Sequence, residues 1–176
     1  MFNQTGESET LYFYYHILQS GNNMRLISTA AFLVLACASS VQAQYDYLKM
    51  AAVYDSDLAA SSQRTTEQYA SACATMQLGL ASRYDAVRLR IWANTASSND
   101  YMFSGLYNTG RNRSASGCSE YGTGVKSQAA GNASIGQGNY QDAIDELSLA
   151  VGDFQSSTAD YSAALTAFVS ASKVPN

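Results

Sequence analysis

From Tyr140 onward, Ile144, Leu147, Val151, Phe154, Tyr161, Leu165 and Phe168 recur at alternating spacings of four and three, with Thr158 as the polar member of the series. This is a heptad stripe, the mark of a helix face turned toward a partner. It predicts one long helix or two nearly collinear ones, because Ser157-Thr158-Ala159-Asp160 is also a capping-box pattern able to start a new helix. The N-terminal half carries a similar stripe: Tyr47, Ala51, Tyr54, Leu58, Ser62, Thr65, Tyr69, Cys73, Met76, Leu80, Tyr84, Val87 and Ile91. Its eleven-residue period predicts a straight or slightly right-handed helix, with a break expected in the polar stretch Ser61 to Thr66.

Between these halves, Asn94 to Gly117 is rich in Ser, Asn, Gly and Arg and reads as a long connection with one short helix. A further helix is expected from Ser119 to Ile135, weakened by Gly122, Gly124 and Gly131. Gly136-Gln137-Gly138-Asn139 then predicts a tight turn with Asn139 as the N-cap of the last helix. The expected fold is all-α, an antiparallel helical bundle of three to five helices.

The start of the chain changes the picture of what the working protein is. Met24-Arg25, the apolar run Leu26 to Ala38 and the small residues before Ala43 have the form of a secretory signal peptide cleaved after Ala43. The apolar run is too short to span a bilayer, which takes about 20 residues. Residues 1–23 are then a dispensable extension, and Met24 the true start. A plain secretory signal fits better than the loose lipobox Val34-Leu35-Ala36-Cys37. The mature chain, residues 44–176, has single-domain size and keeps Cys73 and Cys118, an even pair that reads as one disulfide in an oxidising compartment. Closing that loop is worth about 4 kcal/mol in the chain-entropy model, and it would tie Cys118, at the start of the Ser119 helix, to the first half.

Composition removes several functions. The formal charge of -4 offers no basic surface for phosphates, so nucleic acid is not an expected partner. The single histidine, His16, lies in the discarded extension. Without it, histidine-activated nucleophiles and histidine-containing zinc sites are unavailable. No GxxxxGK[ST], GxGxxG or HExxH occurs, and Asp55-Ser56-Asp57 lacks the rest of a calcium loop. No metal, cofactor or catalytic residue is expected; carboxylates alone would be left to an enzyme.

Two partial resemblances are carried by the C-terminal half. Gly131-Asn132-Ala133, Gln137-Gly138-Asn139-Tyr140-Gln141-Asp142-Ala143-Ile144, Leu147 and Ala150 together resemble a single tetratricopeptide hairpin over about a sixth of the chain, where an array needs about three repeats. Tyr140, Asp142 to Leu147 and Ser162-Ala163-Ala164-Leu165-Thr166 resemble the last hairpin of secreted plant invertase and pectin methylesterase inhibitors. That resemblance implies a four-helix bundle with two disulfides, but Ala167-Phe168 stands where that family has a cysteine.

Remaining candidates are surface features. Asn112-Arg113-Ser114 and Asn132-Ala133-Ser134 are glycosylation sequons for a eukaryotic secretory route. Tyr101, Tyr107 and Tyr121 form a candidate binding surface, against the alternative of half-buried packing. Arg83, Arg88 and Arg90 near Trp92 suit an anionic ligand, or a solvated face with an Asp85–Arg88 pair. Asp142, Asp145, Glu146 and Asp153 read as the exposed side of the last helix. The expected function is that of a secreted, non-enzymatic binding protein, periplasmic in a bacterium, whose partner is an extracellular protein or surface component. The alternatives are a small apolar-ligand carrier and a proteinaceous enzyme inhibitor.

Overall fold

The computed structural model describes the backbone of residues 24–175 and the side chains from residue 40 onward. The extension 1–23, His16 and the side chains of the apolar run and Cys37 therefore lie outside the described residues. The described secondary structure is all-helical: α1 (Met24–Trp92), α2 (Ser98–Gln137) and α3 (Tyr140–Ser172). The chain divides into two compact units, Met1–Tyr47 and Leu48–Asn176. In the first, the described feature is α1 itself, with Gln42 Nε2 donating to Asp46 Oδ1 at 3.1 Å.

The second unit is a bundle of the three helices, the low end of the expected count. Cross-helix bonds fix their directions. Ser56 pairs with Asn132, Gln63 with Tyr121 and Tyr84 with Asn108, so α1 and α2 are antiparallel. Thr66 meets Phe154 and Cys73 meets Tyr161, so α1 and α3 run parallel.

The core is built on strict sevens. On α3 the large residues Tyr140, Leu147, Phe154, Tyr161 and Phe168 are buried, alternating with buried Ala143, Ala150, Ser157, Ala164 and Ala171. On α2 the corresponding seat is Phe103 and then Gly110, Gly117, Gly124 and Gly131, all buried. Each glycine is a notch for a large α3 side chain. A Cβ at Gly110 would lie 2.6 Å from the Phe168 ring, and one at Gly131 2.6 Å from Leu147 Cγ. At Gly124 it would stand 2.9 Å from Phe154, and at Gly117 3.1 Å from the Ser157 carbonyl oxygen. Phe154 and Phe168 are fully buried in this way, and Phe103 of α2 is fully buried beside Tyr107, each contributing about 2–3 kcal/mol of apolar transfer.

This packing explains where the sequence reading departs from the fold. The expected connection 94–117 is helix from Ser98, because its glycines are core seats and its start is well capped. Ser97 accepts from Asp100 N, and Asp100 accepts from Ser97 N, a complete capping box. No break occurs at 61–66. Thr66 is buried with its Oγ1 3.0 Å from both the Ser62 and Phe154 carbonyls and 2.8 Å from Thr158 Oγ1. The two threonine hydroxyls thus share a hydrogen bond beside the carbonyls of both helices. Nor does a helix start at Ser157, whose hydroxyl donates to the Gly117 carbonyl at 2.6 Å. The α2–α3 turn falls where expected but is shorter, since Gly136 and Gln137 belong to α2 and the turn is Gly138-Asn139. Gly138 is left-handed at φ 78°, and the N–H groups of Gly138 and Asn139 bond back to Ile135 and Ser134. Asn139 holds the N-cap position of α3 without a capping side-chain bond; its amide donates to Gln137 instead.

The expected disulfide is not formed. Cys73 is a buried free thiol donating to the Tyr161 carbonyl at 3.0 Å, and Cys118 is exposed and free. Cys118 sits well inside α2, so it does not begin a helix.

Candidate binding surface

The first helix inverts the usual rule of burial. Within the bundle unit its buried seats are Ala52, Ala59, Thr66, Cys73 and Val87, mostly small. Met76, Leu80, Tyr84 and Ile91 pack half-buried against the core, but other large apolar residues point outward, with Met50 73%, Leu78 79% and Trp92 87% exposed, and Val53, Tyr54, Leu58 and Leu89 exposed as well. The N-terminal half of the predicted stripe is thus on the wrong face: Tyr54, Leu58 and Tyr69 are exposed, whereas the seats on a seven-residue period are buried. Large apolar side chains left in water along one helix are a feature of interaction surfaces.

The C-terminal end of α1 carries a shaped part of this face. Arg88, Leu89, Ile91 and Trp92 line an open groove of about 560 Å³. The backbone around it is held firmly. Asn94 takes the left-handed conformation at φ 57°, which Asn tolerates better than most residues, and Thr95 N bonds to the Arg90 carbonyl at 2.9 Å. Arg90 then grips Asp100 with two nitrogens, Nε reaching Oδ2 at 3.1 Å. The Arg90 guanidinium, with the Ser97 N–H, holds the Asp100 carboxyl well below the usual carboxylate range. Arg83 lies 4.2 Å over the Phe103 ring and donates to the Pro175 carbonyl at 2.8 Å, tying in the end of α3. Two of the three candidate arginines are therefore structural. Arg88 makes no ion pair among the described residues, and the expected Asp85–Arg88 pair is replaced by Arg90–Asp100.

The three candidate tyrosines do not share a surface. Tyr101 is exposed. Tyr107 is core, stacked 4.3 Å from Tyr84 and tilted against Phe168, with its hydroxyl donating to the Gln77 carbonyl. Tyr121 is half-buried on Phe154 and donates to Glu67 Oε1 at 2.6 Å. Asn112 and Asn132 are both exposed on α2, the Asn132 Oδ1 accepting from Ser56 Oγ at 2.9 Å.

Several groups in the bundle core and its seams have shifted titrations, each with a packing cause. Burial, and then the nearby Cys118, push the Tyr161 hydroxyl up to about 12. Burial raises the Cys73 thiol. Burial, with Asp160 and Asp153 close by, raises Glu120, whose Oε2 is buried without a hydrogen-bond partner among the described residues. Asp160 is itself paired with Arg113 at 2.9 Å. Among the described residues no group of three or more His, Cys, Asp or Glu is placed to hold a metal, and no helix is long and apolar enough to cross a membrane. A shallow groove of about 190 Å³ between α1 and α3 is lined by Ser62, Thr65, Gln155 and Thr158.

Compared with protein-family models, curated proteins and solved structures, the chain matches none of them. The tetratricopeptide and inhibitor resemblances therefore rest on their quoted residues alone, and the surface of α1 carries the functional argument.

Proposed function

We propose that this protein is a secreted, non-enzymatic binding protein that docks on an extracellular protein or surface component through the outward face of α1. The observation that carries the reading is the inversion on that helix, small residues buried and Met50, Tyr54, Leu78 and Trp92 exposed. Secretion rests on the signal-peptide pattern of Met24 to Ala43. Surface binding is favoured over carriage of an apolar ligand because the interior seats are occupied: each buried glycine of α2 is filled by a residue of α3.

Two measurements test this. The intact mass of the protein from its native source should correspond to Gln44–Asn176, with any sugar at Asn112 or Asn132 lost on deglycosylation; a mass retaining the first 43 residues would remove the secretion half. A photo-crosslinker at Tyr54 should capture a defined extracellular partner, and Met50→Asp should abolish the capture. Equal capture from a crosslinker at Gln141, on the exposed side of α3, would sink the surface assignment.

A further inference from the structure

The chain carries two complementary patches at opposite ends of its bundle. At one end, Leu89, Ile91 and Trp92 form the apolar walls of the open groove, and Arg88 supplies a cation without an ion pair among the described residues. Near the other end, Asp142, Asp145, Glu146 and Leu149 follow one another at i, i+3, i+4 and i+7, so they share one face of α3. Leu149 is 62% exposed, and Glu146 has no ion pair among the described residues. Each patch pairs exposed apolar surface with charge, and the charges are opposite.

These patches do not meet within one molecule. Leu147 of α3 packs on Gly131, at the α2–α3 turn, whereas Arg83 reaches Pro175 at the far end of α3. From Glu146 to Ser172 is about 40 Å at ~1.5 Å per helical residue. A second copy is the occupant whose charge and apolar character the same sequence supplies.

We propose that copies of this protein associate head to tail, the acidic face of α3 in one copy seated in the Arg88–Trp92 groove of the next. Leu149 enters between Leu89 and Trp92, and Glu146 faces Arg88. This rests on the reading of outward α1 as a docking surface and names an occupant for its C-terminal end. The contact is heterologous, joining two different patches, so it repeats into chains unless the rotation closes a ring. The groove is compact, which suits a reversible contact that strengthens with concentration and weakens with salt.

Trp92 is the sole tryptophan of the chain and reports the contact directly. The emission of the full chain should shift to shorter wavelength with rising concentration, in step with growing mass in sedimentation velocity. Arg88→Glu and Glu146→Arg, each confirmed as folded by circular dichroism, should each weaken association about tenfold or more by placing like charges together. Mixing these two variants should restore it, because each groove then finds an opposite charge on the other variant. A full chain that stays monomeric up to millimolar concentration overturns the proposal, as does association that neither reversal weakens. Failure here, with crosslinking at Tyr54 still capturing a partner, would leave the proposed function standing; loss of the Tyr54 capture alone would leave self-association standing.

Discussion

The third helix and the first solve the same packing problem in opposite ways. α3 places its large residues in the core and fits each against a glycine or small residue of a neighbour. α1 gives the core small residues at Ala52, Ala59 and Thr66, adds Val87 and the half-buried Met76, Leu80, Tyr84 and Ile91 toward its end, and leaves Met50, Tyr54, Leu78 and Trp92 in water. Since apolar burial stabilises at roughly 25 cal/mol per Å², the fully buried Phe154 and Phe168 make α3 a large contributor to the bundle's cohesion. α1 closes the bundle while keeping side chains free for another role.

The sharpest way to break the comparison is to truncate one large residue on each helix. Phe154→Ala should cost about 3–5 kcal/mol, whereas Tyr54→Ala should stay within about 0.5 kcal/mol; urea unfolding of both reads the difference. Near-equal losses would mean that α1's outer face is buried after all. A second contrast lies between two glycines of α2. Gly110→Ala drives a Cβ into the Phe168 ring, an overpacking worth about 1–3 kcal/mol, and should lower the melting temperature. Gly105→Ala meets nothing within 4 Å and should raise stability by about 0.5–1 kcal/mol through helix propensity.

The smallest effect is confined to acid. Asp100 has a lowered folded value, so its contribution is full above the unfolded pKa of about 3.9 and is lost as pH falls through the folded one. Asp100→Asn should therefore flatten the fall of stability below about pH 4, measured by thermal melts across that range. An unchanged acid limb would show that the Arg90 grip adds nothing.

The legibility of these elements in the sequence follows the size of their core residues. The large seats of α3 stand out because Tyr140, Leu147, Phe154, Tyr161 and Phe168 recur at sevens. Its second line of seats lies one residue before the pattern Ile144, Val151, Thr158 and Leu165, because those seats are mostly alanines with little contrast. α2 is the least legible: a helix whose core position is glycine reads as a loop, although Gly110, Gly117, Gly124 and Gly131 at strict intervals are a signal in the sequence. In α1, Tyr54 and Leu58 pulled the predicted face away from Ala52 and Ala59, since hydrophobic pattern alone does not distinguish a side chain meant for the core from one meant for a partner. The same limit hid the groove: Arg88 stood out from Arg83 and Arg90 only once their bonds to Pro175 and Asp100 were visible.

The notches of α2 are nested around the Gly138 turn, and this sets an order in time. Gly131 meets Leu147 across the shortest loop, then Gly124 meets Phe154, Gly117 meets Tyr161, and Gly110 meets Phe168 last. Each contact formed shortens the effective loop for the next, so the closure entropy falls in small steps. The expected pathway is a hairpin that zips from the turn outward, with transition-state φ-values highest at Leu147 and lowest at Phe168, and with α1 joining after the zip has closed.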